Sequence, residues 1–380
     1  MASVISALSS PRALSPLRLS VLALSAVLLG GACAHAPPRD LAPDPGLVAR
    51  IQSIRIIPSS TRACPGSRIA VNYEAVLDDG SRVPFARSYD KQHPRQLHVV
   101  FLERESPDAA ARGDGDWVAD RDPWATVSTG FRLTARLRVR PTLTNTVVLP
   151  PDYGCMPHTF TFGGASGVIA GLRGGDGPDV TVRLARLRSP FYESLYVAGI
   201  AVSGGRPVYV LGDASSVAAA GWLNVDSQGG SGGTGNAGPD GMDGTPGAAG
   251  CPGLTGGQGW NGSDGGAGGS GGNGGSITIV VPDDEPRLAR LVNGVSWGGS
   301  GGAGGAGGRG GRGGTGGQGL FDANNQPCAN GSDGSPGHDG MQGQSGTSGW
   351  SGRTIVMTVP AQQVFGTQVP QGLAGLLGRR

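Results

Sequence analysis

Lysine is nearly missing from this 380-residue chain: Lys91 is the only one among 30 basic residues. Charged residues make up 15% and aromatic residues 5%, against roughly 25% charge in an ordinary soluble domain. That shortage, together with 72 glycines, excludes a single conventional globular enzyme fold. The apolar run from Leu19 to Leu29 is too short, and too soon followed by small residues and Pro37-Pro38, for a membrane-spanning helix. There is no Gly-Lys-Ser/Thr phosphate loop, no C-x-x-C pair and no helical metal spacing among the five His at 35, 93, 98, 158 and 338. What fills the space is glycine, 72 residues of it.

Arg12 and Arg18 precede the apolar run, which ends in Gly30-Gly31-Ala32-Cys33. This order reads as a cleaved signal segment over 1–32. A cysteine directly after small residues resembles a bacterial lipobox, although Gly30 stands where that motif usually has Leu. The resemblance implies that Cys33 is acylated, and Ala34 in place of Asp implies passage to the outer membrane. Cysteine arithmetic agrees, because five Cys become four once Cys33 carries lipid. Cys64 and Cys155 fall in one half of the chain and Cys251 and Cys328 in the other, so pairing within each half is the simplest of three connectivities. Disulfides imply an oxidising compartment. Removing Arg12 and Arg18 leaves 28 basic residues against 28 acidic ones. A neutral chain offers no general electrostatic attraction to nucleic acid.

A Pro-rich tether is expected over 33–47, followed by strand-like alternation at Ile51, Ile54 and Ile56 and at Ile69, Val71, Tyr73 and Val76, with Asp78-Asp79-Gly80 as a turn. Further runs cover Leu97 to Leu102, then Phe131, Leu133, Ala135, Leu137 and Val139, then Val147 to Leu149. This spacing predicts an antiparallel β-sandwich over 48–160. It resembles the immunoglobulin-like modules of bacterial surface proteins.

From Gly229 to Gly274 glycine recurs every third residue, sixteen times in succession. The phase resumes from Gly298 to Gly319 and from Gly331 to Gly352. Either a collagen triple helix or a bundle of polyglycine-II helices demands that period, and a random coil is the alternative for a Gly-rich segment without a partner. The stretch 298–319 has no Pro and reads Gly-Gly-x, which leaves a triple helix without its stiffening residue but suits a bundle whose second Gly faces another neighbour. Three tracts lead into apolar runs, at Val180 to Leu184, Ile277 to Val281 and Ile355 to Val359, so a longer repeat surrounds the short one. Trp222, Trp260, Trp297 and Trp350 add apolar bulk to a bundle that otherwise has little. The predicted module spans 161–362, with a tail over 363–380.

Gly250-Cys251-Pro252-Gly253 and the run from Gly302 to Gly314 resemble the snow-flea antifreeze proteins. That resemblance implies a disulfide-tied polyglycine-II bundle and raises ice binding. The whole layout, with its single Lys, resembles Gly-rich, collagen-like lipoproteins of high-GC Gram-negative bacteria such as myxobacteria.

Other motifs have blander explanations. Ser231, Ser270 and Ser300 match a nucleophile-elbow pattern only because glycine is everywhere. Asp114, Asp116, Asp120 and Asp122 read as a calcium loop or as a solvated turn. Arg309 and Arg312 imitate an RNA-binding Arg-Gly-Gly box with only two repeats. The expectation is a mainly β protein with a polyglycine-II module: a non-enzymatic outer-membrane lipoprotein, structural or adhesive, with no metal or cofactor. Its partners would be the membrane, through the lipid, and a surface polymer or envelope protein. A monomer is favoured over a collagen-like trimeric stalk, and an ice- or polymer-binding module is the further alternative.

Overall fold

The computed structural model describes residues 41–90, 92–93, 96–366, 369, 372–373 and 376. The expected signal segment 1–32 and Cys33 lie outside them. The chain is mainly β. The expected tether ends in a short helix, α1 (Pro45–Arg50), because the Asp44 carboxylate accepts from the Gly46 and Leu47 amides and Pro45 suits the first helical position.

Among the described residues the N-terminal half holds nine strands: β1 (Ile51–Pro58), β2 (Arg68–Ile69), β3 (Val71–Leu77), β4 (Arg82–Pro84), β5 (Leu102–Glu105), β6 (Ala109–Ala111), β7 (Trp117–Ala119), β8 (Phe131–Leu137) and β9 (Arg140–Leu149). They form three antiparallel sheets, β1-β3-β4, β2-β7-β6 and β5-β8-β9, around one core. Alternation fixes the faces: Val71, Tyr73, Ala75 and Leu77 point inward on β3, and Phe131, Leu133, Ala135 and Leu137 on β8. The run at Leu97 to Leu102 is not one strand. A 3-10 turn at Val99–Phe101 intervenes, held by the His98 Nδ1 accepting from the Val100 amide.

The C-terminal half is built from β10 (Thr159–Gly163), β11 (Val180–Ser189), β12 (Tyr192–Val202), β13 (Val208–Asp213), β14 (Leu223–Gln228), β15 (Ile277–Pro282), β16 (Val292–Trp297) and β17 (Thr354–Val359). Six extended glycine-rich tracts join them: tract 1 (164–167), tract 2 (171–177), tract 3 (229–250), tract 4 (253–275), tract 5 (298–319) and tract 6 (328–352). The chain makes the same excursion three times. A strand runs out into a tract, the chain turns, and a second tract returns into a strand: β10 to β11, β14 to β15, β16 to β17.

Outgoing strands assemble as the parallel sheet β10-β14-β16, and returning strands β11, β15 and β17 stack in parallel within β13-β12-β11-β15-β17. The two sheets bury a common core of Val180, Val182, Leu223, Val225, Ile277 and Ile279 among others. The sequence expectation had the returning strands. It lacked the outgoing ones: β14 carries Asn224 and Asp226 beside its inward Leu223 and Val225, β16 has Gly294 and Ser296 in register with Val225 and Ser227, and β10 is only five residues long.

A third core joins the halves, where Trp124, Val127 and Tyr153 pack on Leu187, Tyr192 and Leu195, and Val364 and Phe365 close it from the C-terminal side. Arg62 also donates to the Tyr192 hydroxyl at 2.9 Å. Among the described residues no helix is long and apolar enough to cross a membrane.

Candidate interaction surface

The tracts prolong the two sheets as two layers, tracts 1, 3 and 5 in one and tracts 2, 4 and 6 in the other. Within a layer neighbours run parallel. Gly235, Gly238 and Gly241 donate to the carbonyls of Ala303, Ala306 and Arg309 at 2.7–2.8 Å, and Gly259, Gly262 and Gly265 donate to those of Ser335, His338 and Met341 at 2.9 Å. Between layers neighbours run antiparallel, with Trp260 donating to Met242 and Ser263 to Pro239, both at 2.9 Å, and Gly305 to Gly266 at 2.9 Å. The bonds recur every three residues along each tract. Each such bond contributes about 0.5–1.5 kcal/mol net, and the repeated ladder offsets the conformational entropy that glycine loses on ordering.

Glycine content follows the number of flanks that are covered. One glycine phase of a tract lies against the next tract in chain order: a Cβ on Gly268 would stand 2.6 Å from the Ala303 carbonyl oxygen. A second phase lies against the preceding tract of the same layer, as Gly302 and Gly305 lie against the backbone of Gly233 and Asn236. Tract 5 is covered on both flanks throughout and is Gly-Gly-x throughout. Tracts 3 and 4 are doubly glycine beside short tracts 1 and 2, at Gly230, Gly233, Gly269 and Gly272, and beyond them tract 4 keeps a second glycine only at Gly257 and Gly266, which lie against Thr245 and Asn236 of tract 3. Most of the same positions further out carry side chains, Asn236, Pro239, Met242 and Thr245 on tract 3 and Ser263, Trp260 and Leu254 on tract 4. Side chains there leave no room for another tract.

Open faces of the bundle are finished by Asn and Asp side chains, which accept the backbone amides that the lattice leaves over. Asp240 and Asp243 take the Arg309 and Arg312 amides at 2.7 and 2.6 Å on the outer face of the odd layer. Asn261, Asp264 and Asn273 take those of His338, Met341 and Trp350 at 2.8, 2.7 and 3.0 Å on the outer face of the even layer. Asp339, Asp333 and Asn330 take Gly310, Gly316 and Gly319 at 2.7, 2.7 and 2.8 Å along the tract 5 and 6 edge. Sequence reasoning missed these caps. Their signal is the recurrence of Asn and Asp at a fixed place in the triplet.

The edge of tracts 3 and 4 beyond the short hairpin is different. Met242, Leu254 and Trp260 stand out there, 62–67% exposed, beside Pro239. Proline has no amide to donate. This is an apolar ridge on a hydrogen-bonded backbone.

Cys64–Cys155 and Cys251–Cys328 are both disulfides, the second tying the turn between tracts 3 and 4 to the start of tract 6. The acidic residues expected either as a calcium loop or as a solvated turn separate. Asp116 is buried and accepts from Arg68 and Arg87 at 2.6 Å each and from the Val71 amide at 3.2 Å, while Asp114 pairs with Arg68 at 2.9 Å. Asp120 and Asp122 accept local backbone amides. Burial alone would raise the Asp116 carboxyl, but the Arg68, Val71 and Arg87 donors outweigh it and hold it below the ordinary range. No group of three or more potential metal-ligating side chains occurs among the described residues.

Ser231, Ser270 and Ser300 lie in the extended tracts, away from any strand-to-helix turn. His98 is buried, which lowers its pKa, His93 pairs with Asp90 at 2.7 Å, His158 packs against Trp222 and His338 lies exposed on tract 6. His35 lies outside the described residues. Comparison with protein-family models, with curated proteins and with solved structures finds no match.

Proposed function

We propose that the chain is a non-enzymatic lipoprotein of a Gram-negative outer membrane, a structural or adhesive part of the envelope. Cys33 carries the lipid, the N-terminal β module acts as an immunoglobulin-like sandwich, and the tracts form a polyglycine-II bundle held out from it. The observation that carries this reading is the three-residue backbone ladder joining six tracts of one chain in two antiparallel layers. At ~3.1 Å per residue, tracts of this length make stiff arms of roughly 65 Å. Such arms suit a spacer or a contact surface, and the reading assigns no catalytic residue and no cofactor.

Antiparallel neighbours favour the bundle over a triple-helical stalk, whose three chains run parallel. Of the long faces, the apolar edge with Met242, Leu254, Trp260 and Pro239 best suits adhesion to an envelope polymer. Asp240, Asp243, Arg309 and Arg312 project from the odd layer's outer face, which favours that role over ice matching by a flat face of small residues. Two disulfides support an exported chain. Replacing Cys33→Ser should move the protein from the membrane fraction to the soluble fraction of lysed cells. Retention of the variant in the membrane would overturn the anchor.

A further inference from the structure

The open flanks of the arms carry devices that end the lattice: side chains at most glycine-phase positions on tracts 3 and 4, and Asn or Asp caps on the other faces. The strands of the same third excursion carry none. β17 is the last strand of the order β13-β12-β11-β15-β17. The edge of β11 is covered by β15 and the edge of β15 by β17, in parallel register from Val180↔Ile277 and Ile277↔Thr354 onward. The outer edge of β17 repeats those covered edges and is itself bare among the described residues. Ile355, Val356 and Met357 are 45%, 54% and 49% exposed, three consecutive large apolar side chains on both faces of one edge strand. No charged residue occurs between Arg353 and Gly366, and Val364 and Phe365 turn back into the third core rather than along this edge. Soluble proteins blunt such edges with lysine, proline or bulges.

We infer that the chain forms a two-fold symmetric dimer in which β17 of one copy pairs antiparallel with β17 of a second, continuing the five-stranded sheet into one of ten strands. The occupant is a second copy because the strand complements itself. A two-fold axis between Val356 and Met357 sets Val356 against the partner's Met357, Ile355 against the partner's Thr358 and Thr354 against the partner's Val359, with no charge facing a like charge. That arrangement closes both bare edges at once. Joining β17 to the opposite edge, β13, would leave one of each free and grow filaments. Antiparallel addition to a parallel edge is common in mixed sheets.

Sedimentation equilibrium of the full chain carrying Cys33→Ser, which removes the lipid as a cause of association, tests this. A mass twice that of the monomer is expected, falling twofold in Val356→Lys at an unchanged, mainly β-type circular dichroism spectrum, with Val356→Thr remaining dimeric. Ile355→Lys supplies the same test should Val356→Lys fail to fold. A monomer or a trimer before substitution, or a dimer that survives both lysine variants, overturns the inference.

Discussion

Gly268 shows why the tracts tolerate so little. Its missing side chain is where the Gly302 and Ala303 carbonyls sit, with the Gly302 carbonyl carbon 2.7 Å from where a Cβ would stand. Backbone cannot swing aside as a flexible side chain can, so Gly268→Val must separate tract 4 from tract 5. We expect a loss of about 1–3 kcal/mol, read as a lower melting temperature. Ala306→Val, on the exposed phase of tract 5, should stay within about 0.5 kcal/mol. The glycine period was legible because sterics act position by position. The caps left only their recurrence at one place in the triplet, since an exposed Asp264 or Asn261 taken singly looks the same in sequence whether it meets water or the amide of a residue 77 positions away.

At the scale of elements, Asp116 gathers strand ends that hydrophobic alternation alone does not align: Arg68 opens β2, Val71 opens β3, and Arg87 follows β4. Its folded carboxyl is held below the ordinary value of 3.8. A depressed carboxylate contributes stability above its unfolded pKa and loses it as pH falls toward the folded one. Melting temperature should therefore fall as pH drops below about 4, and Asp116→Asn should lower stability at neutral pH by about 2 kcal/mol, discounted for the half-exposed arginines, while flattening part of that acid dependence. A pH series of thermal melts on both proteins measures it. Strands with clean alternation, such as β3 and β8, were legible; β14 and β16 were not, because Asn, Asp and Gly interrupt their apolar pattern.

At the scale of the molecule, three excursions of unequal reach share two sheets, and the shortness of the first leaves the apolar edge on tracts 3 and 4 open. Sequence period alone admits a coil, a triple helix or a bundle, because all three accept glycine at every third residue. They differ in which amides are bonded. A triple helix bonds one amide per triplet, the glycine's. In the folded chain the non-glycine amides of Trp260 and Ser263 are bonded as well, to the Met242 and Pro239 carbonyls, although the Trp260 side chain is exposed. Residue-resolved hydrogen exchange at those two amides is the most direct test of the bundle. The account predicts slow exchange at Trp260 and Ser263, comparable to Gly259 and Gly262; exchange there at the rate of an unstructured chain would contradict it.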